Sequence, residues 1–244
     1  MRYLILFMVL VGVFVLGGRS CFHGNFNFGG GIRGEGPVKT ETRDLRDFHA
    51  LESAVPATVE VRVADQYQVE IQGQENILAA LKTEVRDGKL HVYFEENVSQ
   101  TKDLLLRIAA PAFDDLGLAG SGNMKVLTPL HSERLALSVG GSGEIHLPQA
   151  DAGSLNCSIA GSGSINVGGK AGDAQFEIAG SGDVEAKELL ANTGKADIAG
   201  SGSVTCNVAQ TLKASIAGSG DVFYLGSPAV DADVSGSGKV KKLE

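Results

Sequence analysis

Apolar and polar residues alternate along much of this chain with a period of two. Val59, Val61 and Val63 share one face, as do Val69 and Ile71, then Leu90, Val92 and Phe94, then Leu104, Leu106 and Ile108. Such alternation is the mark of half-buried strands. Asp87-Gly88 stands between Val85 and the Leu90 run, and supplies the positive φ angles that a tight hairpin needs. Only Glu75 to Leu81, carrying Ile77, Leu78 and Leu81, has helical spacing. It is long enough for a turn or two.

After Pro111 the chain repeats itself. A small residue followed by Gly-Ser-Gly recurs seven times, with the first glycine at Gly120, Gly141, Gly161, Gly180, Gly200, Gly218 and Gly236. The spacings are 21, 20, 19, 20, 18 and 18 residues, a period that defines a repeat architecture. Apolar positions recur two apart on either side of each corner: Leu137 and Val139 before Ile145 and Leu147, Cys157 and Ile159 before Ile165 and Val167, Phe176 and Ile178 before Val184 and Ala186. Each repeat therefore reads as strand, glycine corner, strand. One such coil cannot bury its apolar face, whereas stacked coils pair every backbone group with a neighbour and build a continuous core. The predicted fold is all-β: a β-solenoid, a single-stranded parallel β-helix of about 20 residues per coil, over 113–244, preceded by a β-rich N-terminal half over 38–112. That half breaks the twenty-residue frame, so it reads either as an irregular stack of its own or as a small sandwich capping the solenoid.

Composition sharpens this picture. The 33 glycines, the absence of Trp and the mere three Met among 244 residues fit many tight corners between short strands. A net charge of −8 repels phosphate backbones and anionic lipid surfaces, which argues against nucleic acid as a partner. Residues 1–20 start on Arg2, run apolar from Tyr3 to Leu16 and end Gly17-Gly18-Arg19-Ser20. This is the pattern of an export signal peptide, and the run is shorter than the roughly 20 residues that span a bilayer. Cys21 follows Ser20 as in a bacterial lipoprotein box, although Gly18 and Arg19 depart from that pattern; lipid on Cys21 is the expected route, besides the leader, to a membrane. Gly-rich residues 21–37 read as a tether. The expected location is the bacterial cell envelope, periplasm or outer surface.

The chemistry-bearing residues do not assemble into a catalytic constellation. Ser121, Ser142, Ser162, Ser181, Ser201, Ser219 and Ser237 form a column that either binds a regular ligand or serves as a structural ladder hydrogen-bonded along itself. Unbroken alternation through the corner turns these serines outward, and a left-handed glycine turns them in. Asp183 and Asp221 follow Gly-Ser-Gly as in calcium-binding repeats, but the period is about twice too long and the other copies carry Asn123, Glu144, Ser164, Ser203 and Lys239. The five histidines lack zinc spacing, and no Gly-x-Ser-x-Gly elbow occurs. Cys157 and Cys206 fall at inward strand positions and read as small core residues. Catalytic residues, cofactor and metal are accordingly expected to be none. Lys239, Lys241 and Lys242 place positive charge on the last coil, which is expected to discourage end-to-end stacking.

The order Phe48-His-Ala-Leu51, Thr58-Val-Glu-Val61, Tyr67-Gln-Val-Glu-Ile71, Gly73 through Asn76 and Asp87-Gly88-Lys89-Leu90, followed by the Gly-Ser-Gly repeats with Gly163-Ser-Ile-Asn166, resembles the auto-transporter adhesin family with the head GIN domain, found on bacterial envelope proteins. The resemblance covers nearly all of 38–240 and implies an exported, non-catalytic β-solenoid with adhesin-like binding of a glycan or protein ligand. Homo-oligomers are compatible with it. A purely structural envelope scaffold and a polysaccharide-acting β-helix enzyme are the alternatives.

Overall fold

Period-two runs become strands here because one face of each can be covered by the strand above and below it. A computed structural model describes residues 31–100 and 104–244. The predicted signal peptide at 1–20, Cys21 and residues 22–30 of the tether lie outside the described residues.

In chain order the N-terminal elements are β1 (Ile32–Arg33), β2 (Val38–Thr42), β3 (Ala50–Ser53), β4 (Thr58–Val63), β5 (Gln68–Gln74), α1 (Glu75–Ala80), β6 (Leu81–Arg86), β7 (Lys89–Phe94), β8 (Val98–Gln100) and β9 (Leu105–Ala110). They are followed by β10 (Asp115–Gly120), β11 (Asn123–Val126), β12 (Leu130–Gly141), β13 (Glu144–Gly161), β14 (Ser164–Gly180), β15 (Asp183–Gly200), β16 (Ser203–Gly218), β17 (Asp221–Gly226), β18 (Ala229–Gly236) and β19 (Lys239–Lys242). The described residues are 73% strand and wind through about six turns with parallel partners about 20 residues apart, so this is the β-solenoid that the repeat predicts. Within the stretch read as a tether, Ile32 and Arg33 pair in parallel with β8.

Two inward ladders run through the stack, one on each side of the glycine corner. Before the corner, Leu116, Leu137, Cys157, Phe176, Ala196 and Ala214 lie in register, and all are buried. After it, Met124, Ile145, Ile165, Val184, Val204 and Val222 do the same. Each fully buried aliphatic side chain contributes about 1.5–3 kcal/mol relative to exposure, which is what offsets the ordering of so much extended backbone.

The N-terminal half belongs to these same ladders. Leu51 of β3 pairs with Leu116 on one side and Leu90 of β7 on the other, and Val59 of β4 lies between Met124 and Leu106 of β9. The coil made of β3 and β4 is thus inserted between the coil of β7 and β9 and that of β10 and β11. The frame is broken in sequence because these coils stack out of chain order and are interrupted by antiparallel strands. Beyond them β6 pairs antiparallel with β7 through the Asp87-Gly88 turn, β5 pairs antiparallel with β9, and β2 with β5. Asp87 and Gly88 have φ of 51° and 76°, as a primed hairpin turn demands.

One inward position breaks the pattern. In the column Leu118, Val139, Ile159, Ile178, Ile198 and Ile216 the place next to Leu118 is taken by Ser53, whose fully buried hydroxyl has no hydrogen-bond partner among the described residues. A buried hydroxyl left so costs about 1–3 kcal/mol. Ser53→Ala is therefore expected to raise the unfolding free energy by about 1 kcal/mol, read as a higher denaturant midpoint with an unchanged slope. A lower midpoint would show that the hydroxyl has a stabilising role.

Candidate binding surface

The seven corner glycines have φ from 106° to 141°, yet the corner serines face outward. Of the two alternatives that the sequence leaves open, the structure has the outward one. These angles lie far from the roughly +57° of left-handed helix, and alternation runs on through the corner: Ile178 in, Ala179 out, Ser181 out, Gly182 in, Val184 in. Ser121, Ser142, Ser162, Ser181, Ser201, Ser219 and Ser237 are all exposed. From Ser142 onward their backbone N–H groups donate to the corner glycine carbonyl one coil away, from Ser142 to Gly120 at 2.8 Å through to Ser237 to Gly218 at 2.9 Å. Among the described residues no column hydroxyl bonds to the next. Coils stand about 4.8 Å apart, too far for an O–H···O bond of about 2.5–3.0 Å. The ladder that holds the corner together is backbone, and the hydroxyls are left free to meet solvent or a ligand.

Asp183 and Asp221 also turn along the stack. Asp183 Oδ1 accepts from the Ser203 backbone N–H at 3.0 Å and its hydroxyl at 2.6 Å, and Asp221 Oδ1 accepts from the Lys239 N–H at 2.9 Å. Each carboxylate thereby fastens one coil to the next. Cys157 and Cys206 are buried free thiols. Burial alone pushes the Cys157 thiol up, and that of Cys206 up to about 12, which leaves both unreactive at neutral pH.

A second feature was not read from the sequence. The inward column Leu135, Leu155, Ala174, Gly194, Leu212, Val230 loses bulk in its middle, and a Cβ placed on Gly194 would come within 2.7 Å of Val208 Cγ2. The coil wall is drawn close to its core there. On the outside a depression of ≈ 570 Å³ crosses five consecutive coils, flanked by Asp173, Thr193 and Thr211 on one side and Gln175, Lys195 and Lys213 on the other. Thr193 donates to Asp173 and Lys195 pairs with Asp197. Among the described residues Lys213 has no carboxylate partner. Aligning the repeats at their corners exposes the Ala174-Gly194 gap, which is the signal that the sequence held.

Near this face, Lys170 Nζ and His131 Nδ1 approach Asp151 at 3.1 and 3.4 Å. The hydrogen bond from Lys170, and next its charge and that of His131, hold the Asp151 carboxyl below the usual carboxylate range. The three lie in register on successive coils, an ion ladder of the kind that fixes strand alignment.

Stacked coils, a side-chain-poor corner with outward hydroxyls and an open depression rimmed by polar groups describe a repeat β-solenoid. Residues 47–228 match the family described as "Putative auto-transporter adhesin, head GIN domain", and the chain belongs to that family. Its fold is similar to that of a protein described as a putative adhesin from Bacteroides fragilis, with 24% identity, a TM-score of 0.81 and coverage of 87% of this chain and 100% of that one. A protein described as a putative lipid binding protein from Parabacteroides distasonis matches with 25% identity, TM-score 0.75 and coverage of 87% and 99%. A further protein described as a putative adhesin, from Parabacteroides merdae, matches with 23% identity, TM-score 0.73 and the same coverage. No curated protein matches the chain.

Proposed function

We propose that this protein is an exported, non-catalytic adhesin-type module of the bacterial envelope, which binds an extended surface ligand, a glycan or a protein segment, laid along the coil axis. The depression across Thr193, Lys195, Thr211 and Lys213 carries this reading. A hydroxyl and an ammonium recur there on two successive coils in register, so a polymer with acceptor groups repeating near the coil spacing meets an ammonium donor on each of the two, Lys195 and then Lys213. Polar groups of this kind orient a ligand without supplying the paired acid and base that bond cleavage needs. The serine column is the second surface on which such a ligand could lie. Family membership supports the adhesin-like role, and the apolar leader supports export.

The full chain, tested on a glycan array and on whole cells, is expected to bind saturably. Changing Lys195 and Lys213 to Ala should weaken that binding about tenfold or more, since each charged hydrogen bond contributes about 1.5–3 kcal/mol. Loss of binding instead in a variant with all seven column serines changed to Ala would move the ligand to the corner. Absence of binding by every form would leave a structural envelope scaffold as the better reading.

A further inference from the structure

The two ends of the coil stack differ. At one end the parallel ladders stop against antiparallel β5 and β6, and α1 carries buried Ile77 and Leu78. At the other, β18 rests on β16 and β19 on β17, and among the described residues neither has a partner on its far side. Such an edge presents unpaired N–H and C=O groups that template another strand. Val230 and Val234 continue the columns of buried Leu212 and Ile216, yet they are 39% and 38% exposed.

The charges on this edge identify what fits it. β18 carries Asp231 and Asp233 in the outward register of Lys213 and Ser215, and β19 carries Lys239 and Lys241 in that of Asp221 and Phe223. We propose that this end coil is a docking surface for a second copy of the same chain, tail to tail about a two-fold axis through the corner at Gly236, with β18 of each copy antiparallel to β19 of the other.

The geometry follows from the direction of the strands. β18 runs toward the corner and β19 away from it, so a half-turn about an axis through the corner lays one over the other in opposite directions, as an antiparallel ladder requires. With Gly236 on the axis, Asp231 faces Lys241 and Asp233 faces Lys239 of the second copy. Ala232 then faces Val240, so outward residues meet outward ones and inward meet inward. Because the interface is isologous, each pairing occurs twice.

Opposite charges directly across such a pair stabilise it and like charges oppose it. Pairing β18 with β18 of the second copy would set aspartate against aspartate. Where the sequence alone predicts that the lysines discourage end-to-end stacking, their register beside Asp231 and Asp233 selects one arrangement, and it closes as a dimer instead of growing into a fibre.

Sedimentation equilibrium of the full chain at low ionic strength is expected to show a monomer–dimer equilibrium that added salt weakens. The variants D231K/D233K and K239D/K241D should each raise the dissociation constant about tenfold or more, because each opposes like charges. An equimolar mixture of the two should recover the dimer, since reversed β18 then meets reversed β19. Circular dichroism of each variant checks that its β content is unchanged. A wild-type chain that stays monomeric at about 100 µM, variants that dimerise as tightly as wild type, a mixture that stays monomeric, or species that grow beyond a dimer would each overturn the proposal.

Discussion

Gly180→Ala is expected to lower the unfolding free energy by about 4 kcal/mol. Gly180 has a φ of 134°, where a side chain costs about 1–3 kcal/mol in backbone strain. A Cβ there would also run into the carbonyl oxygen of Gly161. That oxygen accepts the N–H of Ser181 at 2.8 Å, and the carbonyl of Gly180 accepts that of Ser201 at the same distance, so relieving the clash disturbs the hydrogen bonds that join three coils. In a chain of this length the loss corresponds to a fall in Tm of about 10 °C. Ser181→Ala, one residue away and exposed, should change stability by less than about 0.5 kcal/mol. Thermal unfolding followed by circular dichroism separates the two. Equal midpoints for both variants would mean that the corner yields more than its geometry allows.

Phe176→Ala should cost a similar amount, about 3–5 kcal/mol. Phe176 is 1% exposed and is the largest side chain in its ladder, lying between Cys157 on one coil and Ala196 on the next. The ring fits because both neighbours are small. Coils stacked at a fixed backbone spacing cannot close over the space it leaves. Denaturant titration gives the loss directly, and a loss below about 1 kcal/mol would show that the neighbouring coils collapse into the gap.

The parallel stack was legible because its evidence is periodic: Gly-Ser-Gly every twenty residues or so fixes the coil, and residues such as Ile159, Ile178 and Ile198 fix its interior. The hairpin at Asp87-Gly88 and the short helix at Glu75–Ala80 were equally local signals. The placement of β3 and β4 between coils that follow them in the chain was not legible. It depends on Leu51 and Val59 choosing partners 39 to 65 residues away, and apolar alternation alone is the same for any partner. The outward turn of the serines also escaped, because the sign of φ at a glycine does not by itself fix which way the next side chain points. The depression at Gly194 was hidden by its smallness: a missing side chain leaves no motif, only a gap in a column that must first be aligned.

The out-of-order stacking has a kinetic consequence. From β12 onward each coil lies on the one just before it, so that part of the molecule can zip up in the order in which the chain is made, with short loops to close at each step. The segment 50–63 has no such freedom, since its two ladder neighbours are supplied by residues 89–110 and 115–126. It must wait, with Leu51 and Val59 uncovered, until both have emerged. The slow step of folding therefore lies at the beginning of the domain, and a whole repeat can be gained or lost from the zippered region without touching it.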